Sequence, residues 1–187
     1  QAMSILEERG GEFSGPDGNP DSLLLQQMEI DDEALQALTS LKGLRELNLR
    51  YCTITPEQLE DLKWLTSLRR LGLGSCGIDD VGLAVISNNL AVLDALDLSG
   101  NDGITDEGLA SLSKFDRLKS LKLSAIGLGD SAIKFISAQT ELEVLALDFN
   151  TISDVGVDQL AGLTCLRELH LAYNKISDAE LATIVSL

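Results

Sequence analysis

Ser124, Asp148 and His170 bring a hydroxyl, a carboxylate and an imidazole, the groups of nucleophilic acyl transfer. In such a triad the imidazole stands between the other two, taking the hydroxyl proton on one side while the carboxylate orients it from the other. Gly72-Leu73-Gly74-Ser75-Cys76-Gly77 matches the G-x-G-x-x-G of dinucleotide binding, and Asp97 follows twenty residues after the last glycine, as a ribose ligand would. Cys52, Cys76 and His170 are donors that a zinc site could use. Carboxylates cluster at Asp31-Asp32-Glu33, Glu57, Asp79-Asp80, Asp106-Glu107, Asp130, Asp154, Asp178 and Glu180, where they could gather calcium or meet a partner. Whether any of this chemistry is possible depends on which elements carry these residues.

Those elements are set by a repeat. Leu-x-x-Leu-x-Leu-x-x-(Asn/Cys)-x-Ile starts at Leu44, Leu68, Leu93, Leu118, Leu142 and Leu166, with spacings of 24, 25, 25, 24 and 24 residues. A degenerate unit begins near residue 20, where Leu23, Leu25, Met28 and Ile30 stand 48 residues before Leu71, Leu73, Cys76 and Ile78. Within a unit, Leu47 and Leu49 or Leu121 and Leu123 have the period of two of a short strand with one buried face. Leu59, Leu62, Leu65 and Leu109, Leu112, Phe115 are spaced by three, which suits a short helix of about two turns. Helix starts are marked by Asp31, Thr55, Asp79, Thr105, Ser153 and Ser177, with Gly129 breaking the row, and Thr55-Pro56-Glu57-Gln58 and Ser177-Asp178-Ala179-Glu180 read as capping boxes. The carboxylate clusters fall in these first turns, where compensation of the helix macrodipole accounts for them.

No single unit can bury both its strand leucines and its helix leucines, so stacked units must form a solenoid. Asn101, Asn150 and Asn174 are then expected to bond neighbouring loop backbone, with Cys52 and Cys76 filling the same slot as small buried groups. This arrangement removes the chemistries above. On successive strands Asp148 falls between Ser124 and His170, so the acid and not the base is central. The glycines of the G-x-G-x-x-G run occupy places held elsewhere by Asn48, Arg50 and Thr53, and Asp79 and Asp80 stand where a pyrophosphate would dock. His170 is the only histidine and the two thiols point into the core, so no zinc cluster forms. Neither an enzyme nor a cofactor or metal site is expected.

The chain resembles leucine-rich repeat proteins over about nine-tenths of its length. Cys76-Gly77-Ile78-Asp79-Asp80-Val81-Gly82-Leu83 and Ile104-Thr105-Asp106-Glu107-Gly108-Leu109 are similar to the ribonuclease-inhibitor-like, cysteine-containing repeats of ubiquitin-ligase substrate receptors. They also resemble bacterial repeat proteins whose helices begin Thr-Asp-x-Gly-Leu, which the 24-residue period fits better. The resemblance implies an α/β solenoid, a horseshoe arc of about seven repeats, with parallel strands on the concave face and short helices on the convex face. Residues 1–19 differ and read as an N-terminal cap made of a short helix and a hairpin, ahead of an array over 20–187.

Thirty acidic against fourteen basic residues give a net charge of −16, which repels a phosphate backbone, so no nucleic-acid partner is expected. No apolar run approaches the ~18 residues of a membrane span. The three cysteines read as reduced thiols, which leans towards a cytoplasmic redox environment, while a start at Gln with no basic stretch ahead of an apolar core leaves export open as the alternative. The chain begins with Gln and ends at Leu187, the third apolar position of a last helix. The expectation is a piece of a longer polypeptide, with two chains covering each other at this end as the alternative, and weak self-association of the isolated fragment through its uncovered last repeat.

A protein-binding strip remains. On the concave face Arg45, Arg50, Arg69, Arg70, Lys119, Lys122 and Arg167 meet Glu46, Asp94, Asp97, Glu143, Asp148 and Glu168, a near balance on an otherwise acidic body. Such a strip suits a protein partner, though alternating charges also pair across strands. Tyr51, Phe149 and Tyr173 share one repeat position just past the strand, so Phe149 and Tyr173 should touch beside Asp148 and His170, as an interface hot spot or as a cover over the asparagine ladder. Trp64, Phe115 and Phe135 lie on the helical half and are expected in core or convex packing. The reading is a non-catalytic protein-interaction module. Its alternatives are the substrate-recruiting arm of a larger enzyme, such as a ubiquitin-ligase receptor or bacterial effector, and a structural or surface-display spacer.

Overall fold

The computed structural model describes residues 1–16 and 20–177. Eight three-residue strands form one sheet in chain order: β1 (Glu12–Ser14), β2 (Ser22–Leu24), β3 (Glu46–Asn48), β4 (Arg70–Gly72), β5 (Ala95–Asp97), β6 (Ser120–Lys122), β7 (Val144–Ala146) and β8 (Glu168–His170). β1 pairs antiparallel with β2, and every later pair is parallel. Leu23, Leu47, Leu71, Leu96, Leu121, Leu145 and Leu169 lie in one register row, and all but Leu169 are fully buried. Leu25, Leu49, Leu73, Leu98, Leu123 and Leu147 form a second buried row two residues on, as the period of two requires. The result is an α/β solenoid. Strands pack ~4.8 Å apart while helices need 8–10 Å, so the sheet takes the inside of the curve.

The convex layer holds α2 (Asp32–Ser40), α3 (Pro56–Asp61), α4 (Asp80–Asn89), α5 (Asp130–Ile136) and α6 (Asp154–Asp158), while α1 (Ala2–Glu8) lies against α2 with Leu6 buried beneath it. Asp31, Thr55, Asp79 and Ser153 cap their helices through their side chains, and Thr55 with Gln58 closes a full capping box. The expectation of a short α-helix in every unit is corrected in one: Gly108–Lys114 is entirely 3-10 helix, and α3 and α6 run on into 3-10 turns at Leu62–Trp64 and Gln159–Gly162. An apolar spacing of three is the 3-10 period itself, so Leu109, Leu112 and Phe115 align on one buried line without an α-turn. The second expected capping box, at Ser177 to Glu180, and the last helix to Leu187 lie outside the described residues, as does most of the Pro16 to Asn19 turn.

The asparagine ladder is present. Asn101 is fully buried; its Oδ1 accepts from the Cys76 and Ile78 amides at 2.9 and 3.0 Å, and its Nδ2 donates to the Leu73 and Leu98 carbonyls. Asn150 does the same for Ile126, Leu128, Leu123 and Leu147, and Asn174 for Ile152, Leu147 and Leu171. Cys52 and Cys76 are buried free thiols whose Sγ atoms face the Leu25 and Leu49 carbonyls one unit back, and Ile126 takes the slot with no polar group at all.

A second ladder runs along the helix starts, more specific than macrodipole compensation. Asp80 accepts from both the amide and the hydroxyl of Thr105, Asp130 from those of Ser153, and Asp154 from those of Ser177, while Asp106 accepts from the Gly129 amide. Each carboxylate therefore ties one unit to the cap of the next. The Ser177 hydroxyl and amide hold the Asp154 carboxyl below its ordinary range, so this contribution is full above that range and fades as pH falls through it. The glycines two residues after Asp106 and Asp154 give the preceding unit's aspartates room: a Cβ on Gly156 would lie 2.5 Å from Asp130 Oδ1, and one on Gly108 would overlap the Asp80 carboxylate.

Burial pushes the Cys76 thiol up to about 11 from an ordinary 9.0, and raises Cys52 as well. The thiol form is favoured in the fold, so its stabilisation is complete below pH 9 and is lost as pH rises towards 11. With iodoacetamide at mild alkaline pH, exposed Cys165 should be labelled, and Cys52 and Cys76 only on unfolding, about a hundredfold more slowly. Mass spectrometry of the labelled peptides checks this; equal labelling of all three would contradict the buried register.

Candidate functional site

Residues flanking each strand leucine face outward and make two rows across the sheet: Glu46, Arg70, Ala95, Ser120, Val144, Glu168, and Asn48, Gly72, Asp97, Lys122, Ala146, His170. Arg45, Arg69, Asp94, Lys119, Glu143 and Arg167 form a third row one residue before the strands. The middle of this face is a shallow concavity of about 280 Å³ lined by Asn48, Gly72, Ala95, Asp97, Ser120 and Lys122 among others.

Part of the charge alternation is internal pairing. Arg70 reaches Glu46 at 3.3 Å, Lys119 reaches Glu143 at 2.9 Å, and Arg167 lies 3.9 Å from the same Glu143. The Glu143 carboxylate holds Lys119 above its ordinary range, and Lys119 holds Glu143 below its own. Asp94 is taken by Arg117 at 2.9 Å. Among the described residues Arg45, Arg50, Arg69 and Lys122 enter no ion pair. Arg69 donates to the Leu68 carbonyl, and Arg50 lies 5.4 Å from the centre of its neighbour Tyr51. Asp97 accepts from the Ser99 amide and Asp148 from the Ala172 amide. Free cations therefore gather in the N-terminal half and at Lys122, whereas Val144 and Ala146 leave an apolar stretch beside His170.

Phe149 and Tyr173 stack with centroids 4.4 Å apart and planes 10° from parallel, as their shared repeat position implied. Their backbone departs from what their residue types favour. Gln27, Tyr51, Ser75, Ala125, Phe149 and Tyr173 all have φ between 55° and 59°, and Gly100 in the same place has φ 74°. This left-handed conformation disfavours residues with a Cβ by roughly 1–2 kcal/mol, and it recurs because the amide there continues the ladder, Tyr51 to Gly74 and Phe149 to Ala172 for instance. Gly or Asn is the usual choice in such places, yet three hold large rings that remain 49%, 57% and 76% exposed at Tyr51, Phe149 and Tyr173. Trp64 is not core: it is half exposed, with Lys42 and Lys63 5.5 and 5.7 Å from its ring, while Phe115 is buried and Phe135 packs against the core.

Ser124, Asp148 and His170 line one open pocket of the sheet face together with Ser120, Lys122 and Glu168. Asp148 is engaged by backbone, and His170 has Glu168 at 4.0 Å as its neighbouring carboxylate. Among the described residues no group of three His, Cys, Asp or Glu is placed to hold a metal ion, and no helix is long and apolar enough to cross a membrane.

Fold and face together define an α/β repeat solenoid with a polar, partly unpaired inner sheet. The family model described as Leucine Rich repeat matches residues 44–62, 65–87, 90–113, 139–161 and 162–179, more than half of the chain, which belongs to the leucine-rich repeat family. Residues 114–138, which fall between two matches, hold the unit in which Ile126 replaces the ladder Asn or Cys and Gly129 replaces the capping side chain. The chain is similar to leucine-rich repeat-containing protein 42 of Xenopus tropicalis, with 33% identity over 121 residues, 59% of this chain and 29% of that protein. The same protein of Rattus norvegicus is 34% identical over 109 residues, 52% of this chain and 26% of its own length. The chain thus spans under a third of the length of these relatives. Two Listeria monocytogenes structures share the fold. For internalin C2 the TM-score is 0.60 and the identity 25%, covering 98% of this chain and 88% of that one. For an internalin, inlF, the TM-score is 0.58 and the identity 26%, covering 89% and 45%. Leucine-rich repeat proteins generally mediate protein–protein interaction and are typically without catalytic activity.

Proposed function

We propose that this protein docks a protein partner on its concave face, with Arg45, Arg50, Arg69, Arg70, Asp97, Lys119 and Lys122 meeting polar and acidic groups. Tyr51, Asp148, Phe149, His170 and Tyr173 form the edge of the contact. The observation that carries this reading is the exposed Phe149–Tyr173 stack held in left-handed backbone: rings there add little to the core and stand where the backbone disfavours them. Arg45, Arg69 and Lys122 add charge that no described residue neutralises, while Arg70 and Lys119 already have partners and should matter less.

The test is affinity for the partner recovered from a cross-linked complex. Combined Arg45→Glu, Arg69→Glu and Lys122→Glu should weaken binding about tenfold or more, chiefly by slowing association, and Tyr173→Ala should weaken it by about 2 kcal/mol. Lys119→Gln should change it by less than about 1 kcal/mol. Unchanged affinity and salt dependence in the triple variant, with an unaltered circular dichroism spectrum, would overturn the concave reading.

A further inference from the structure

The left-handed places form a row along the loop edge of the sheet, one per unit. Phe149 and Tyr173 occupy two neighbouring places with stacked rings, while the next places towards the N-terminus are Ala125, Gly100 and Ser75, whose side chains are small. Where the rings stop, a groove of about 630 Å³ opens. Its apolar lining is Ile104, Ala125, Ile126, Gly127, Leu128 and Phe149, and Asp102, Thr105, Asp106 and Glu107 line the same groove. One face of Phe149 is covered by Tyr173; the other borders the space over Ala125.

None of these three carboxylates enters an ion pair among the described residues. Asp106 accepts from the Gly129 amide through one oxygen. An open aromatic face next to unpaired carboxylates, with room for one more flat group at the spacing of the row, matches a planar cation. A guanidinium stacks on rings and bonds carboxylates in its own plane, whereas an ammonium is a compact point charge that gains less from the stacking place.

We propose that this groove is an arginine subsite. An arginine side chain of a protein partner lies over Ala125, stacked on the free face of Phe149 as the next layer of the aromatic row, with its N–H groups donating to Asp102, Asp106 and Glu107. The inference rests on the reading that the protein docks protein partners, and it names the side chain such a partner brings to the loop edge.

The probe is a terminally blocked Gly-Arg-Gly peptide, titrated into isotope-labelled protein at millimolar concentration and followed through backbone amide shifts. The same peptide with citrulline, equally planar but neutral, and with lysine are the comparisons. The expected result is saturable shifts at Ala125, Gly127 and Phe149, with the arginine peptide about fivefold or more tighter than either comparison. Ala125→Tyr puts a ring into the gap, at a φ that Phe149 and Tyr173 already tolerate, and should abolish the shifts. Asp102→Asn with Glu107→Gln should weaken binding about threefold or more without filling the groove. Equal binding of the citrulline or lysine peptide, binding that survives Ala125→Tyr in a protein whose other amides are unmoved, or no shift at all would overturn the proposal. A silent groove alongside partner contacts on the concave face would remove the arginine subsite and leave protein docking standing.

Discussion

Asn101→Ala should lower the stability of the array by about 3 kcal/mol, because it leaves two buried amides and two carbonyls without their partner. The side chain is fully buried and joins its own unit to the preceding one, accepting from Cys76 and Ile78 and donating to Leu73 and Leu98. Denaturant melts report it as a fall in midpoint at constant slope. Asn88→Ala, at an exposed helix position, is the control and should stay within about 0.5 kcal/mol of the parent. Asn150→Ala should follow Asn101→Ala at about 1–3 kcal/mol, since its bonds to Ile126 and Leu128 are of the same kind. An unchanged midpoint for Asn101→Ala would mean that the loop amides find other acceptors and that the ladder is not what sets the register.

Leu98→Ala should produce the largest loss of a single substitution, about 3–5 kcal/mol. It removes a fully buried side chain from the middle of the stack and leaves a cavity that β4, β5 and β6 cannot close without breaking register. Leu169, partly buried between two exposed residues of the last described strand, provides the contrast: Leu169→Ala should fall nearer about 1–2 kcal/mol, because less apolar area is hidden there. In a solenoid stability is a sum over units and their interfaces, so the central substitution also weakens two interfaces at once. Thermal or denaturant melts of the two variants check the difference. Equal losses at the two positions would show that burial does not grade along the array as described.

The strand register was legible because leucine two apart has only one periodic explanation, and a 24-residue step lines those leucines up from unit to unit. The same step put Phe149 beside Tyr173 and Asn101 against the loop before it. What the sequence did not show has identifiable physical reasons. Tyr51, Phe149 and Tyr173 are residues that local preference keeps out of left-handed backbone, and only the ladder bond through their amides imposes it. Leu109, Leu112 and Phe115 fit an α-helix and a 3-10 helix equally well, so their spacing does not choose between the two forms. The helix dipole alone suffices to place Asp80, Asp106, Asp130 and Asp154 in first turns, so their second role has no separate mark in their own units. The signal was the capping place one unit after each of them, at Thr105, Gly129, Ser153 and Ser177. Arg70 and Lys119 pair with Glu46 and Glu143 across neighbouring strands, and charge order along the chain does not distinguish such a paired side chain from a free one.

The concave face as the docking surface is tested most directly by site-specific photo-cross-linking in the assembled complex. A benzophenone side chain is placed in turn at Arg69, Lys122 and Tyr173 on the sheet side and at Glu60, Ser113 and Asp158 on the helical side, and the adducts are mapped by mass spectrometry. Partner peptides should attach at the three sheet-side positions and not at the helical ones. Adducts confined to Glu60, Ser113 and Asp158 would contradict the account.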